Sequence, residues 1–171
     1  MTLRVVFSHG KDSEPWGHKI LALAETARGH GCTVDSIDYR GIDDVEARLQ
    51  KLLASVPRDG VRPVLVGSSL GAWLSLAAAK PLDASALFLM APAVHLDALL
   101  PPLPELPAID RCPTEIVHGW RDDIVPCENA LRFARERGAT LHMVDDDHRL
   151  HASTPRLQMW LGDLLRTLAA R

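Results

Sequence analysis

Short apolar runs alternate with longer amphipathic stretches along this chain, and that alternation restricts the fold more than any single residue does. Leu3–Phe7, Thr33–Ile37, Val64–Val66, Ala86–Met90, Glu115–His118 and Thr140–Val144 have the length and composition of strands. The stretches between them repeat at helical spacing. Trp16 to Arg28 places Ile20, Leu21, Leu23, Ala24 and Ala27 largely on one side, and Gly29 and Gly31 stop it. Asp43 or Asp44 caps a second helix, in which Val45, Leu49, Leu52, Leu53 and Val56 recur. Leu70–Lys80 is a third, and Pro126–Arg137, ended by Gly138, a fourth. Ser153 or Thr154 with Pro155 opens the last, with Leu157, Trp160, Leu161, Leu164, Leu165 and Leu168 along one stripe. Strand–helix alternation predicts right-handed βαβ units. The expected fold is α/β: a three-layer, doubly wound and mostly parallel sheet of about six strands, with helices on both faces.

At 171 residues the chain is read as one domain over 1–171, large enough to bury a core. Its net charge of −3, with no long run of one sign, argues against a nucleic-acid surface or a polybasic membrane patch. No apolar segment approaches the roughly 20 residues that span a bilayer, and Leu3–Phe7 does not read as a secretory leader. Cys32, Cys112 and Cys127 are scattered, without a C-x-x-C pair. They read as reduced thiols in the cytoplasm. Nothing in the sequence speaks to oligomeric state.

One segment breaks the alternation. Residues 91–113 carry Pro92, Pro101, Pro102, Pro104, Pro107 and Pro113 among Leu96, Leu99, Leu100, Leu103 and Leu106. Prolines at that density prevent a long helix. The segment reads equally as a minimal lid over a pocket and as a connector packing its leucines on the core.

The chemistry centres on Gly67-Ser68-Ser69-Leu70-Gly71, a G-x-S-x-G between a strand and a helix. That setting holds a serine on a sharp turn with its hydroxyl at the end of the sheet, where glycines let the two backbones approach. A serine hydroxyl needs a base within hydrogen-bond reach, and the base needs a carboxylate to fix its tautomer. Asp122 follows the fifth strand and His148 the sixth, so each stands at the same sheet end as Ser69. An oxyanion would need two N–H donors. Leu70 at the helix start offers one. Lys11, in the turn Ser8-His9-Gly10-Lys11, offers the other.

These motifs together resemble a small α/β-hydrolase. H-G-x follows the first strand, G-x-S-x-G the third, H-G-x-x-D-x-x-V-P the fifth and D-H-x-L the sixth. The resemblance covers essentially the whole chain. It implies Ser69 as nucleophile, Asp122 as acid and His148 as base of a cofactor-free serine esterase acting on a small acyl substrate. Relative to that family, the chain lacks the first two antiparallel strands and a cap domain of normal size. A thioesterase, peptidase or lactonase would use the same residues, and a non-catalytic binding module on the same fold is a further reading.

Other residues compete for these roles. Ser68 lacks the flanking glycine pair, Asp123 fits the G-x-x-D-x-x-V-P spacing less well than Asp122, His142 lies inside a strand, and His151 stands at a helix entrance. His9, Gly10, Trp16 and Trp120 are expected to line the substrate pocket. For His9, as for His118, hydrogen bonding within the turn is the competing role. Lys11, Arg121 and Arg149 would ring the pocket mouth or stand solvated. Asp145, Asp146, Asp147, His148 and His151 have metal-ligand chemistry, but a charged turn at a sheet end produces the same pattern. No metal is expected.

Overall fold

The computed structural model describes residues 3–96 and 112–170. Strands β1 (Arg4–Ser8), β2 (Thr33–Ile37), β3 (Pro63–Ser68), β4 (Ala86–Met90), β5 (Thr114–Gly119) and β6 (Thr140–Val144) alternate with five helices. These are α1 (His18–Gly29), α2 (Val45–Ser55), α3 (Leu70–Ala79), α4 (Cys127–Arg137) and α5 (Thr154–Ala169). The strands form one sheet in the order β2-β1-β3-β4-β5-β6, and every neighbouring pair is parallel.

That order positions the site. The chain runs from β1 outward to β2, then returns past β1 to β3. Because both crossovers are right-handed, α1 and α2 cover opposite faces. The reversal between β1 and β3 opens a crevice at their carboxyl ends. The turns that follow these two strands carry His9, Gly10 and Ser69.

Side-chain alternation along the strands sorts the core into two layers. Leu65, Leu89 and Ile116 pack with Leu49 and Leu52 of α2, Trp73 and Leu74 of α3, and Phe133 of α4. Val64, Val66, Phe88 and Val117 face the other way, onto Leu23 and Ala24 of α1 and Leu157 and Leu161 of α5. Every residue of β4 is buried, so its sequence is a continuous apolar run. The edge strands β2 and β6 are less buried because one side meets solvent.

Two helix boundaries differ from, or narrow, the sequence expectation. The first helix starts at His18 and not Trp16, because Gly17 keeps an extended backbone. Asp44, not Asp43, caps α2; its carboxylate accepts the Ala47 N–H at 2.7 Å. Most of the proline- and leucine-rich segment, residues 97–111, lies outside the described residues, and so does its reading as a lid. No helix among the described residues is long and apolar enough to cross a membrane.

Candidate active site

Ser69 sits on the turn from β3 to α3 with φ 55° and ψ −118°. A side-chain-bearing residue with positive φ is strained, at a cost of about 1–3 kcal/mol. The surroundings hold it there. The Ser69 N–H donates to the Met90 carbonyl at 2.9 Å, and its carbonyl accepts from Ala72 at 3.0 Å and Ala93 at 3.2 Å. A Cβ on Gly71 would overlap the Ser8 carbonyl oxygen, and one on Gly67 would overlap the Gly71 carbonyl. The glycine pair therefore lets α3 start directly against both β1 and β3.

A hydrogen-bonded chain runs from Ser69 through His148 to Asp122. The Asp122 Oδ2 lies 2.8 Å from His148 Nδ1. A carboxylate can only accept, so Nδ1 carries the proton and donates. Nε2 of the neutral ring is then free to accept from the Ser69 hydroxyl, 3.0 Å away. Ser69 and His148 are partly exposed, while the Asp122 side chain is fully buried.

Asp122 is held by more than His148. Its Oδ1 accepts the Ile124 N–H at 2.9 Å and the Val125 N–H at 2.8 Å. His118 Nε2 stands 3.2 Å from Oδ2 and also 2.9 Å from the Val125 carbonyl. Both neighbours are acceptors, so Nε2 carries a proton and donates to them. His118 therefore takes the expected turn-bonding role, and its contact with Asp122 is an additional one that the sequence did not reveal. Burial opposes ionisation of Asp122, but the donors of His118, His148, Val125 and Ile124 outweigh it and hold its carboxyl well below the usual carboxylate range.

The loop that presents His148 is organised by Asp146. Its Oδ1 accepts the Asp147 N–H and its Oδ2 the Ser153 N–H, both at 2.8 Å. Asp147 accepts the Arg149 N–H, and Asp145 pairs with Arg121. The acidic run is thus used locally, carboxylate by carboxylate. His142 stacks on Trp160 with ring centres 4.0 Å apart, and His151 meets His18 edge-on at 5.4 Å.

The turn after β1 lies against Ser69: a Cβ on Gly10 would be 3.5 Å from the Ser69 Cβ. The Lys11 and Leu70 amides both lack a protein acceptor among the described residues. His9 does not line the pocket as expected. It is 1% exposed, its Nε2 accepts the Tyr39 N–H at 2.9 Å, and its Nδ1 donates to the Gly10 carbonyl at 2.8 Å. It supports the turn from behind. Trp16 stands just before α1. It is 38% exposed, and Arg28, in the last turn of α1, lies over its ring at 5.6 Å. Trp120 projects into solvent, 53% exposed, from the turn that carries Asp122. Lys11, Arg121 and Arg149 are exposed.

A model of the Alpha/beta hydrolase family matches residues 5–170. This chain belongs to the alpha/beta hydrolase family. It is 34% identical to a Xanthomonas campestris pv. campestris protein assigned to the same superfamily, with a TM-score of 0.85 over 96% of this chain and 98% of that one. A second structure from Xanthomonas campestris, described as a serine hydrolase without lid, gives a TM-score of 0.74 at 21% identity over 96% of this chain and 81% of that one. Bos taurus palmitoyl-protein thioesterase ABHD10, mitochondrial, is 23% identical, with 96% of this chain matching 74% of that protein.

Three residues of this hydrolase escaped the sequence. Lys19, in the first turn of α1, donates to the Ser68 hydroxyl at 3.1 Å. Burial pushes its ammonium down to about 8 against the pull of Asp146, Asp147 and Asp122. Tyr39 is fully buried behind the β1 turn, and Arg48 is 3% exposed beside it. No spacing rule marks any of them. As the only tyrosine of the chain, placed just past a strand, Tyr39 carried the one available signal.

Proposed function

We propose that this member of the family is a serine hydrolase that cleaves a small acyl ester. The observation that carries the reading is the continuous hydrogen-bonded chain Ser69–His148–Asp122, with His148 in the tautomer that leaves Nε2 facing the hydroxyl. In this reading His148 takes the Ser69 proton as the hydroxyl attacks the substrate carbonyl. Asp122 orients the ring and stabilises its charged form. The Leu70 and Lys11 amides receive the developing oxyanion. His148 then protonates the leaving group, and water, activated by the same base, releases the acid from the acyl-enzyme. Every step uses residues of the chain itself.

A thioester is the second reading, favoured by the similarity to a protein named as a palmitoyl-protein thioesterase. The two bonds differ in the leaving group and not in the machinery, so Ser69 has the same role in both. All three cysteines are free thiols, which fits the cytoplasmic location we also propose.

A fluorophosphonate probe tests the reading directly. The wild type should be labelled and turn over a short p-nitrophenyl ester, and Ser69→Ala should lose both. Absence of labelling in a well-folded wild type would overturn it in favour of a binding protein on a hydrolase fold.

A further inference from the structure

We propose that Arg48 is a positioning residue that, together with His9, aims the Lys11 amide at the oxygen developing on the substrate bound to Ser69. This rests on the serine-hydrolase reading above and deepens it.

Arg48 is an unusual occupant of its place. It lies on the inner face of α2 beside Leu49 and Leu52, 3% exposed, with no carboxylate in salt-bridge reach among the described residues. Leucine or methionine would fill such a position without the cost of desolvating a cation. What arginine adds is donors in a fixed fork. Nε donates to the Ile42 carbonyl at 2.6 Å, and Nη2 donates to the Lys11 carbonyl at 3.1 Å. The guanidinium also stands 5.7 Å from the centre of the Tyr39 ring. Nη1 has no partner among the described residues. The side chain therefore ties the β1 turn to the segment between β2 and α2.

The second tie is His9. The Tyr39 N–H can only donate, so His9 Nε2 is an acceptor, and the proton of the neutral ring is on Nδ1. Burial lowers the basicity of this ring and keeps it neutral. Nδ1–H then donates to the Gly10 carbonyl at 2.8 Å. Tyr39 completes the frame: its hydroxyl lies 2.9 Å from Ser8 Oγ, and its ring packs on His9 with centres 5.1 Å apart.

These bonds constrain the orientation of the Lys11 N–H. In a planar trans peptide the C=O and N–H point in opposite directions. Fixing the Gly10 carbonyl on His9 therefore fixes the Lys11 N–H on the other side of the same plane. Fixing the Lys11 carbonyl on Arg48 pins the next peptide plane. With both planes held, the rotations on either side of the Lys11 Cα are constrained. The turn abuts Ser69 at Gly10, so a small rotation here moves a donor that must lie about 2.7–3.1 Å from the oxyanion to act.

The test uses the full chain with Arg48→Met and Arg48→Lys, measured beside wild type and Ser69→Ala. With a short p-nitrophenyl ester, Arg48→Met should lower kcat about tenfold to hundredfold and leave KM within about twofold, since the oxyanion forms only in the transition state. Affinity for a trifluoromethyl ketone, which becomes a tetrahedral oxyanion on the serine, should fall by the same factor. Affinity for the product acid should stay unchanged. Arg48→Lys keeps the charge but has one compact head that reaches one carbonyl at a time, so it should recover part of the loss.

A folded Arg48→Met with wild-type kcat would overturn the proposal. So would equal losses of ketone and product-acid affinity, the mark of a general structural effect. If Arg48→Met fails to fold, Arg48→Lys decides: a selective fall in kcat and ketone affinity supports the proposal, and wild-type values overturn it. Turnover by Ser69→Ala at the wild-type rate would overturn the hydrolase reading itself, which is a different outcome from Ser69-dependent turnover that ignores Arg48.

Discussion

Asp122 concentrates the electrostatics of the site in one carboxylate. Two imidazoles and two backbone amides donate to it, and its side chain is fully buried. Asp122→Asn keeps the shape but faces some of these donors with an NH2 group and removes the acceptor that fixes the His148 tautomer. We expect kcat to fall by about 10³–10⁴-fold and stability at neutral pH to fall by about 1–3 kcal/mol. The folded-state pKa of Asp122 is depressed, so its stabilisation is fully present above the ordinary carboxyl range near 4 and is lost as pH falls through the lower folded value. Urea unfolding of wild type and variant should therefore give a gap that closes on acidification below about pH 4. Lys19 has the opposite sign. Its ammonium is pushed down to about 8 by burial, so the charged form is disfavoured in the folded chain at neutral pH. That cost is relieved as pH rises from about 8 toward the unfolded value near 10. Lys19→Met should be more stable than wild type at pH 7, by on the order of 1–3 kcal/mol, and the advantage should shrink at pH 10. A constant advantage across that range would show that Lys19 acts through packing and not through its charge.

At the scale of elements, the meeting of β1, β3 and α3 is the tightest joint. A methyl group on Gly71 would have to displace the Ser8 carbonyl, which belongs to the strand leading into the Lys11 turn. Gly71→Ala should cost more than about 3 kcal/mol in urea unfolding, and any folded fraction should lose activity, since α3 cannot shift without moving Ser69. The elements themselves were largely legible in the sequence. Most strands are short apolar runs, β2 being the most polar, and most helices begin or end on a cap, a proline or a glycine. The first helix is the exception, since Gly17 delayed its start to His18 without a side-chain cap to mark it. Ser69, Asp122 and His148 were legible for the same reason: each directly follows a strand, so the strand assignments alone bring them to one end of the sheet. Arg48, Tyr39 and the working side of His9 were not. Their partners are mostly backbone groups, and their meeting depends on β1 lying between β2 and β3, an order that apolar spacing along the chain does not encode.

For the whole molecule, the sheet order decides what surrounds Ser69. The reversal between β1 and β3 puts the buried support of the β1 turn, Tyr39 and Arg48, on the β2–α2 side, and Lys19 and the His148 loop on the α1–α5 side. Only residues 91–113 join β4 to β5, too few for a cap domain of normal size. Short-chain p-nitrophenyl esters should therefore be turned over faster than long-chain ones. Faster turnover of the palmitoyl ester would instead align this hydrolase with its thioesterase relative. The span of the Ser69–His148 bond has a consequence for synthesis. The two residues are 79 positions apart, and the histidine follows the last strand. A ribosome extends the chain from its amino end, so on the proposed reading Ser69 emerges long before its base, His148. Until β6 and the loop after it have joined the sheet, the Ser69 hydroxyl has no His148 to bond to. On that reading the site becomes competent only once His148, 79 positions after the serine, has been added and docked.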